Sequence, residues 1–185
     1  GIDYPGSKLD LIAVPDFAMG AMENVGAVTF RETLLLIDVE KATRSELSRS
    51  ISVIAHELAH MWFGDLVTMD WWDGIWLNEA FASLMEVIAS EATYPEFKLW
   101  NEMNQDRSRG FGVDSLKSSR PVEFEVKSPE EAEEMFDVLT YQKGSTVLRM
   151  FETFIGEENF KKGVRSYLNK YEYKNTHSSD LWNEL

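Results

Sequence analysis

The chain has 185 residues, of which 44% are hydrophobic and 27% charged, a globular composition long enough for one domain with a substantial core. Its formal net charge of −14 argues against a nucleic-acid-binding module, which needs clustered lysine and arginine to neutralise phosphates. With no cysteine, a disulfide framework and a thiolate metal site are both closed to it, and no apolar run is long enough to span a membrane. These features fit a cytoplasmic protein with no signal sequence in this stretch, and a start at Gly1 in strand-like sequence suggests a piece of a longer chain.

In chain order, Lys8–Val14 and Val25–Ile37 read as strands, with Gly20-Ala21-Met22-Glu23-Asn24 on a sheet edge or connecting loop between them. Ile51, Ile54, Ala55, Leu58 and Met61 recur at three and four residues along Arg44–Phe63, which predicts a helix stopped by Gly64. Asp65–Ile75, with Trp71, Trp72 and Gly74, is enough chain to reverse direction. A second helix is expected over Trp76–Ala92, with Leu77, Phe81, Leu84, Val87 and Ile88 facing a core and Glu79 facing another way. Further helical patterns cover Pro95–Arg107, Val138–Ile155, Glu158–Lys170 and Ser179 to the end, with Gly156 closing the second of these. Arg109–Pro121 reads as a surface loop. Ser128-Pro129-Glu130-Glu131 marks a helix start with serine as cap, and the acidic run around it reads as a solvated face rather than a device that steers substrate. The result is one α+β domain, sheet-rich over about residues 1–40 and helical over about residues 41–185, without internal repeats.

Two of the three histidines fall in His56-Glu57-Leu58-Ala59-His60. Histidines four apart on a helix lie one turn above the other on one face, so both imidazoles reach the same ion. Glu79 follows His60 after eighteen intervening residues. Two histidines and one glutamate, with a fourth position left open, form an established catalytic zinc set. Glu57 is rotated from the histidine pair by roughly a quarter turn, which suits a general base better than a ligand. Zinc lowers the pKa of water to about 7, within the reach of such a carboxylate. Glu86, two turns beyond Glu79, is either an acceptor for a ligand imidazole or a plain surface glutamate. The five-residue pattern alone could be a coincidence on a polar helix face, but Glu79 on a second amphipathic helix argues against that. A structural zinc site would ordinarily use cysteine. One zinc ion per chain is expected, although cobalt or manganese suits the same donors.

Taken with this motif, which begins 33 residues after Glu23, Gly20–Asn24 resembles the GAMEN exopeptidase signature of the gluzincin zinc aminopeptidases of the aminopeptidase N type. The match extends to Pro15-Asp16-Phe17, to Trp62-Phe63-Gly64-Asp65-Leu66-Val67-Thr68 and to Trp76-Leu77-Asn78-Glu79, and covers essentially the whole chain. The resemblance implies a thermolysin-like metallopeptidase catalytic domain, a small sheet lobe followed by a mainly helical lobe with the zinc site between them. It implies peptide substrates with a free N-terminus and removal of the first residue. Glu23 would hold the α-amine through a charge-assisted hydrogen bond. Gly20 and Ala21, within the substrate-binding stretch that includes Met22 and Asn24, would pair with the substrate main chain. Met19 is either part of the pocket for the first side chain or an ordinary core filler. Tyr141 aligns with the family's tyrosine, whose hydroxyl donates to the developing oxyanion. Val25 departs from the tryptophan of many relatives, which bears on a pocket wall rather than on the chemistry. The family's N-terminal β domain and C-terminal helical domain are absent from these 185 residues.

Three other readings stand beside this one. An epoxide hydrolase and aminopeptidase of the leukotriene A4 hydrolase type carries GGMEN where this chain has Ala21. A thermolysin-type endopeptidase needs no amine anchor. A non-catalytic zinc-fold module that binds peptide would be expected to lack Glu57, Tyr141 or a ligand, and all are present.

Overall fold

A computed structural model describes all 185 residues. Three strands open the chain: β1 (Asp10–Val14), β2 (Ala21–Met22) and β3 (Ala27–Arg31). Their spatial order is β1-β3-β2, with β1 parallel and β2 antiparallel to β3, so β2 lies at an edge. On β3 the alternation is plain, with Val28 and Phe30 fully buried and their neighbours partly open. These two side chains join Met61, and Val53 and Ile54 pack on them from the helix described next, seating the sheet on its flank.

That helix, α2 (Arg44–His60), follows a short α1 (Glu32–Leu35). Thr43 and Glu46 close a reciprocal capping box at its start, each satisfying the other's backbone N–H. The chain leaves α2 through Gly64, whose φ of +139° lies in the region that only glycine adopts freely. Strand β4 (Val67–Met69) and a 3₁₀ turn at Trp72–Gly74 then lead into α3 (Trp76–Thr93).

Most of α3 is buried, as expected of a helix apolar around most of its circumference. Trp76, Leu77, Ala80, Phe81 and Leu84 form the centre of the main core with Phe63, Leu66 and Val67. After α4 (Leu99–Asp114) and the short α5 (Pro129–Ala132), the far side of that core is supplied by α6 (Gly144–Ile155), α7 (Glu157–Lys170) and α8 (Ser178–Trp182), through Leu148, Phe160, Val164, Tyr167, Leu168 and Leu181. Strand β5 (Lys174–Thr176) pairs in parallel with β4. No helix is long and apolar enough to cross a membrane.

The α+β reading and the two main helices agree with the sequence, while several local expectations are corrected. Val25–Ile37 is not one strand: the chain turns into α1 at Glu32, which buries Leu34 and lets its carbonyl accept from Ser50 of α2. Residues 109–114 continue α4 rather than forming a loop, and Gly110 is buried there against Gln142 and Lys143. Val138–Ile155 is divided into a π-helical turn, Leu139–Lys143, and α6. Ser128 stands at the cap position of α5, yet its side chain makes no capping bond. Strands β4 and β5 are three residues each, too short for alternation to reveal.

Candidate metal centre

Two helices bring the donors together. His56 and His60 project from the last turns of α2 with ring centroids 4.8 Å apart, and Glu79 projects from the first turn of α3. Glu79 Oε2 lies 3.2 Å from His56 Nε2 and 3.3 Å from His60 Nε2. Each imidazole is oriented through its other nitrogen. His56 Nδ1 is 2.7 Å from Glu86 Oε2, and His60 Nδ1 is 2.9 Å from the carbonyl of Phe63. With a metal ion bound, an N–H at Nδ1 in both rings would leave both Nε2 lone pairs free to ligate it beside Glu79. Gly64 follows directly, at a positive φ strained for any other residue and where a Cβ would press on Asn78 Nδ2 at 3.3 Å. Glu86 is thus an imidazole partner rather than a plain surface group.

The three donor atoms lie within 4.8 Å of one another. Ligands held about 2.0–2.1 Å from a tetrahedral zinc stand about 3.3–3.4 Å apart, close to the two separations measured to Glu79. Donor chemistry and these two separations fit zinc. Burial disfavours charge on His56, yet the carboxylates of Glu79 and Glu86 outweigh it and raise its pKa to about 10. Burial likewise opposes charge on Glu79, and hydrogen bonds from the two histidines hold it down at about 2. The cluster is therefore strongly attractive to positive charge.

Glu57, also on α2, is buried, with no partner in the chain for Oε2. Burial raises its pKa to about 7 against the pull of both histidines. Tyr141 comes from the π-helical turn, its ring 6.0 Å from that of His56 and nearly parallel to it. Burial, followed by the charge of Glu79, pushes its phenol well above the usual range. Glu23 sits just beyond β2, and its charge acts on Glu57, His60 and Tyr141. Its neighbours shape the turn: Asn24 Nδ2 donates to the Met22 carbonyl at 3.4 Å and to Thr29 Oγ1 at 3.3 Å. The carbonyl of Gly20 accepts from the Arg31 N–H, and Ala21 pairs with Phe30. Met19 and Met22 are both exposed, so Met19 is not a core filler.

The pattern that defines the Peptidase family M1 domain matches residues 1–185, the whole chain. The chain belongs to peptidase family M1. It is 50% identical to the probable aminopeptidase 2 of Sulfurisphaera tokodaii across its full length, which is 24% of that protein. It is 48% identical to the alanine/arginine aminopeptidase of Saccharomyces cerevisiae and 50% identical to human endoplasmic reticulum aminopeptidase 2, again over the whole chain and over 22% and 19% of those proteins. The chain thus spans a quarter or less of the length of these M1 relatives.

Two residues that sequence reasoning passed over bear on the surroundings of the cluster. Asp65, in the turn after α2, keeps Oδ2 buried without a partner, and burial followed by the charge of Glu23 raises its pKa to about 7. Its only sequence signal was membership of a longer matched stretch. Arg31 holds the loop before Met19 by donating to the carbonyls of Phe17, at 3.0 Å, and Ala18. Nothing local singles it out, because its partners are backbone groups thirteen and fourteen residues away.

Proposed function

We propose that this chain is the catalytic part of a zinc-dependent aminopeptidase that removes the N-terminal residue from peptides with a free α-amine. The observation that carries the proposal is the convergence of His56, His60 and Glu79 on one point, with the carboxylate of Glu23 acting on the same cluster. In this reading His56, His60 and Glu79 hold one zinc ion and Glu86 orients His56. Zinc, when bound, supplies Lewis acidity toward the scissile carbonyl and makes water acidic enough to lose a proton near neutral pH. Glu57 takes that proton at its carboxylate and returns it to the leaving amine. The Tyr141 hydroxyl donates to the oxygen that gains charge as the carbonyl becomes tetrahedral.

Glu23 fixes the register. It pairs with the substrate's ammonium, so only the first peptide bond reaches Glu57. Main-chain pairing falls to Gly20 and Ala21, with Met22 and Asn24 completing the strip, and its support lies in the fold: β2 is an edge strand with one side free. Glycine at 20 is not required by the chain itself, because its φ is not positive and a Cβ would meet only Leu34, at an ordinary 3.7 Å. The missing side chain instead leaves room for another backbone to approach. Met19 lies in the loop leading to that strip, exposed and free to border the first side chain. We read the architecture as thermolysin-like, with the sheet lobe over about residues 1–40, the helical lobe over about residues 41–185, and flanking domains supplied by a longer parent protein.

Glu57→Gln keeps the shape of the side chain and removes the base. The expected outcome is undiminished zinc content with a loss of nearly all turnover of a free-amine aminoacyl reporter. Near-normal turnover in that variant would remove Glu57 from the role. Cleavage of the N-acetylated reporter by the unaltered enzyme at a comparable rate would overturn the aminopeptidase reading.

A further inference from the structure

Tyr141 lies in a π-helical turn, a conformation used sparingly and often found at functional sites. Such a turn has to be held, and one side chain from outside any helix or strand does much of the holding. Arg120 lies on the connection between α4 and α5, with its side chain only 13% exposed. A single guanidinium nitrogen, Nη2, donates to Asp137 Oδ1 at 2.7 Å and to Thr140 Oγ1 at 3.1 Å, with the Met135 carbonyl sharing one of its two hydrogens at 3.4 Å. All three acceptors lie in the six residues immediately before Tyr141.

Asp137 passes the constraint onward. Its Oδ1 accepts the N–H of Leu139 at 2.9 Å and of Thr140 at 3.1 Å, and its carbonyl accepts the N–H of Tyr141 at 3.1 Å. Beyond Tyr141 the turn is tied back to the same residue, since Lys143 Nζ donates to the Arg120 carbonyl at 3.0 Å and to Asp114 at 2.6 Å. Thr140 is fully buried, so without Arg120 its hydroxyl would have to find a new partner, while the Met135 carbonyl would keep only the Asp137 N–H.

We propose that Arg120 is the positioning residue for Tyr141, acting through Asp137 and Thr140 to fix where the phenol stands relative to the His56–His60–Glu79 cluster. This rests on the oxyanion role of Tyr141 proposed above. Arg120 touches neither substrate nor metal donors. Its loss shifts the phenol by a fraction of the turn, and misplacement by about 1 Å costs up to about a hundredfold in rate.

The test is a double-mutant cycle in the full-length zinc-loaded enzyme, reading kcat and KM on the free-amine reporter for Arg120→Met, Tyr141→Phe and the pair. Arg120→Met is expected to lower kcat by about 10- to 100-fold with KM and zinc content little changed. In the Tyr141→Phe background the same change should have almost no further effect. Thr140→Val removes one acceptor and leaves the Arg120–Asp137 pair intact. It should give a smaller kcat loss that also vanishes in the Tyr141→Phe background, and it keeps the test open if Arg120→Met does not fold. Equal losses from Arg120→Met or Thr140→Val in both backgrounds would overturn the proposal and make Arg120 a general strut. If Tyr141→Phe alone retains full turnover, the oxyanion role falls and the positioning role falls with it.

Discussion

At the scale of single residues, the site depends on carboxylates whose surroundings assign them different work. Glu79 is held ionised by two imidazoles, while Glu57, buried, and Asp65, half-buried, lack comparable partners and are driven toward the protonated form. Glu23 lies partly open just beyond an edge strand, and the proposed contact with the substrate's ammonium falls to it. A charge-assisted hydrogen bond is worth about 1.5–3 kcal/mol. Glu23→Ala should therefore lower kcat/KM on free-amine substrates by about 10- to 100-fold. Residual turnover of an N-acetylated substrate should stay where it was. Parallel losses on both substrates would mean that Glu23 shapes the site without binding the amine.

At the scale of elements, what the sequence disclosed depended on how far each pattern extends along the chain. α2 and α3 each carry four or more apolar residues at helical spacing, and the donors His56, His60 and Glu79 ride on them, so helices and donor spacing could be read together. The turn bearing Tyr141 could not be read that way. Its π geometry is imposed by Arg120, Asp137 and the approach of α4 at Gly110, contacts made across as many as 33 residues of sequence. Strands β4 and β5 likewise exist through each other, although Val67 and its partner Lys174 are far apart in sequence.

The junction of that turn with α6 gives a test of sign. Alanine normally stabilises a helix over glycine by about 1 kcal/mol. A Cβ at Gly144, however, would stand 2.7 Å from the Cβ of Ala80 on α3, a separation that folded chains do not tolerate. Gly144→Ala should then destabilise by about 1–3 kcal/mol despite its better propensity. Ala80→Gly combined with it should recover part of the loss. Thermal or denaturant unfolding of the two variants measures both, and stabilisation by Gly144→Ala alone would show that α3 and α6 are free to move apart.

At the scale of the whole molecule, the cluster joins the two helices around which everything else is arranged. The sheet packs on α2 through Val28 and Phe30, the main core is centred on α3, and the proposed zinc ion would bridge the two helices through His56, His60 and Glu79. Bringing the carboxylates of Glu57, Glu79 and Asp65 into one partly buried region is costly without a compensating cation. An ion that binds only the folded chain stabilises it by about 4 kcal/mol at a thousandfold excess over its dissociation constant. For a domain of this size that corresponds to a rise in Tm on the order of 10 °C. Chelation should therefore lower the unfolding midpoint of the native protein by that order, and added zinc should restore it. Glu79→Ala should begin near the chelated midpoint and respond to neither treatment. Equal responses in the variant and the native protein would place the stabilising ion somewhere other than between α2 and α3, and the link between metal and fold would then have to be sought outside this pair of helices.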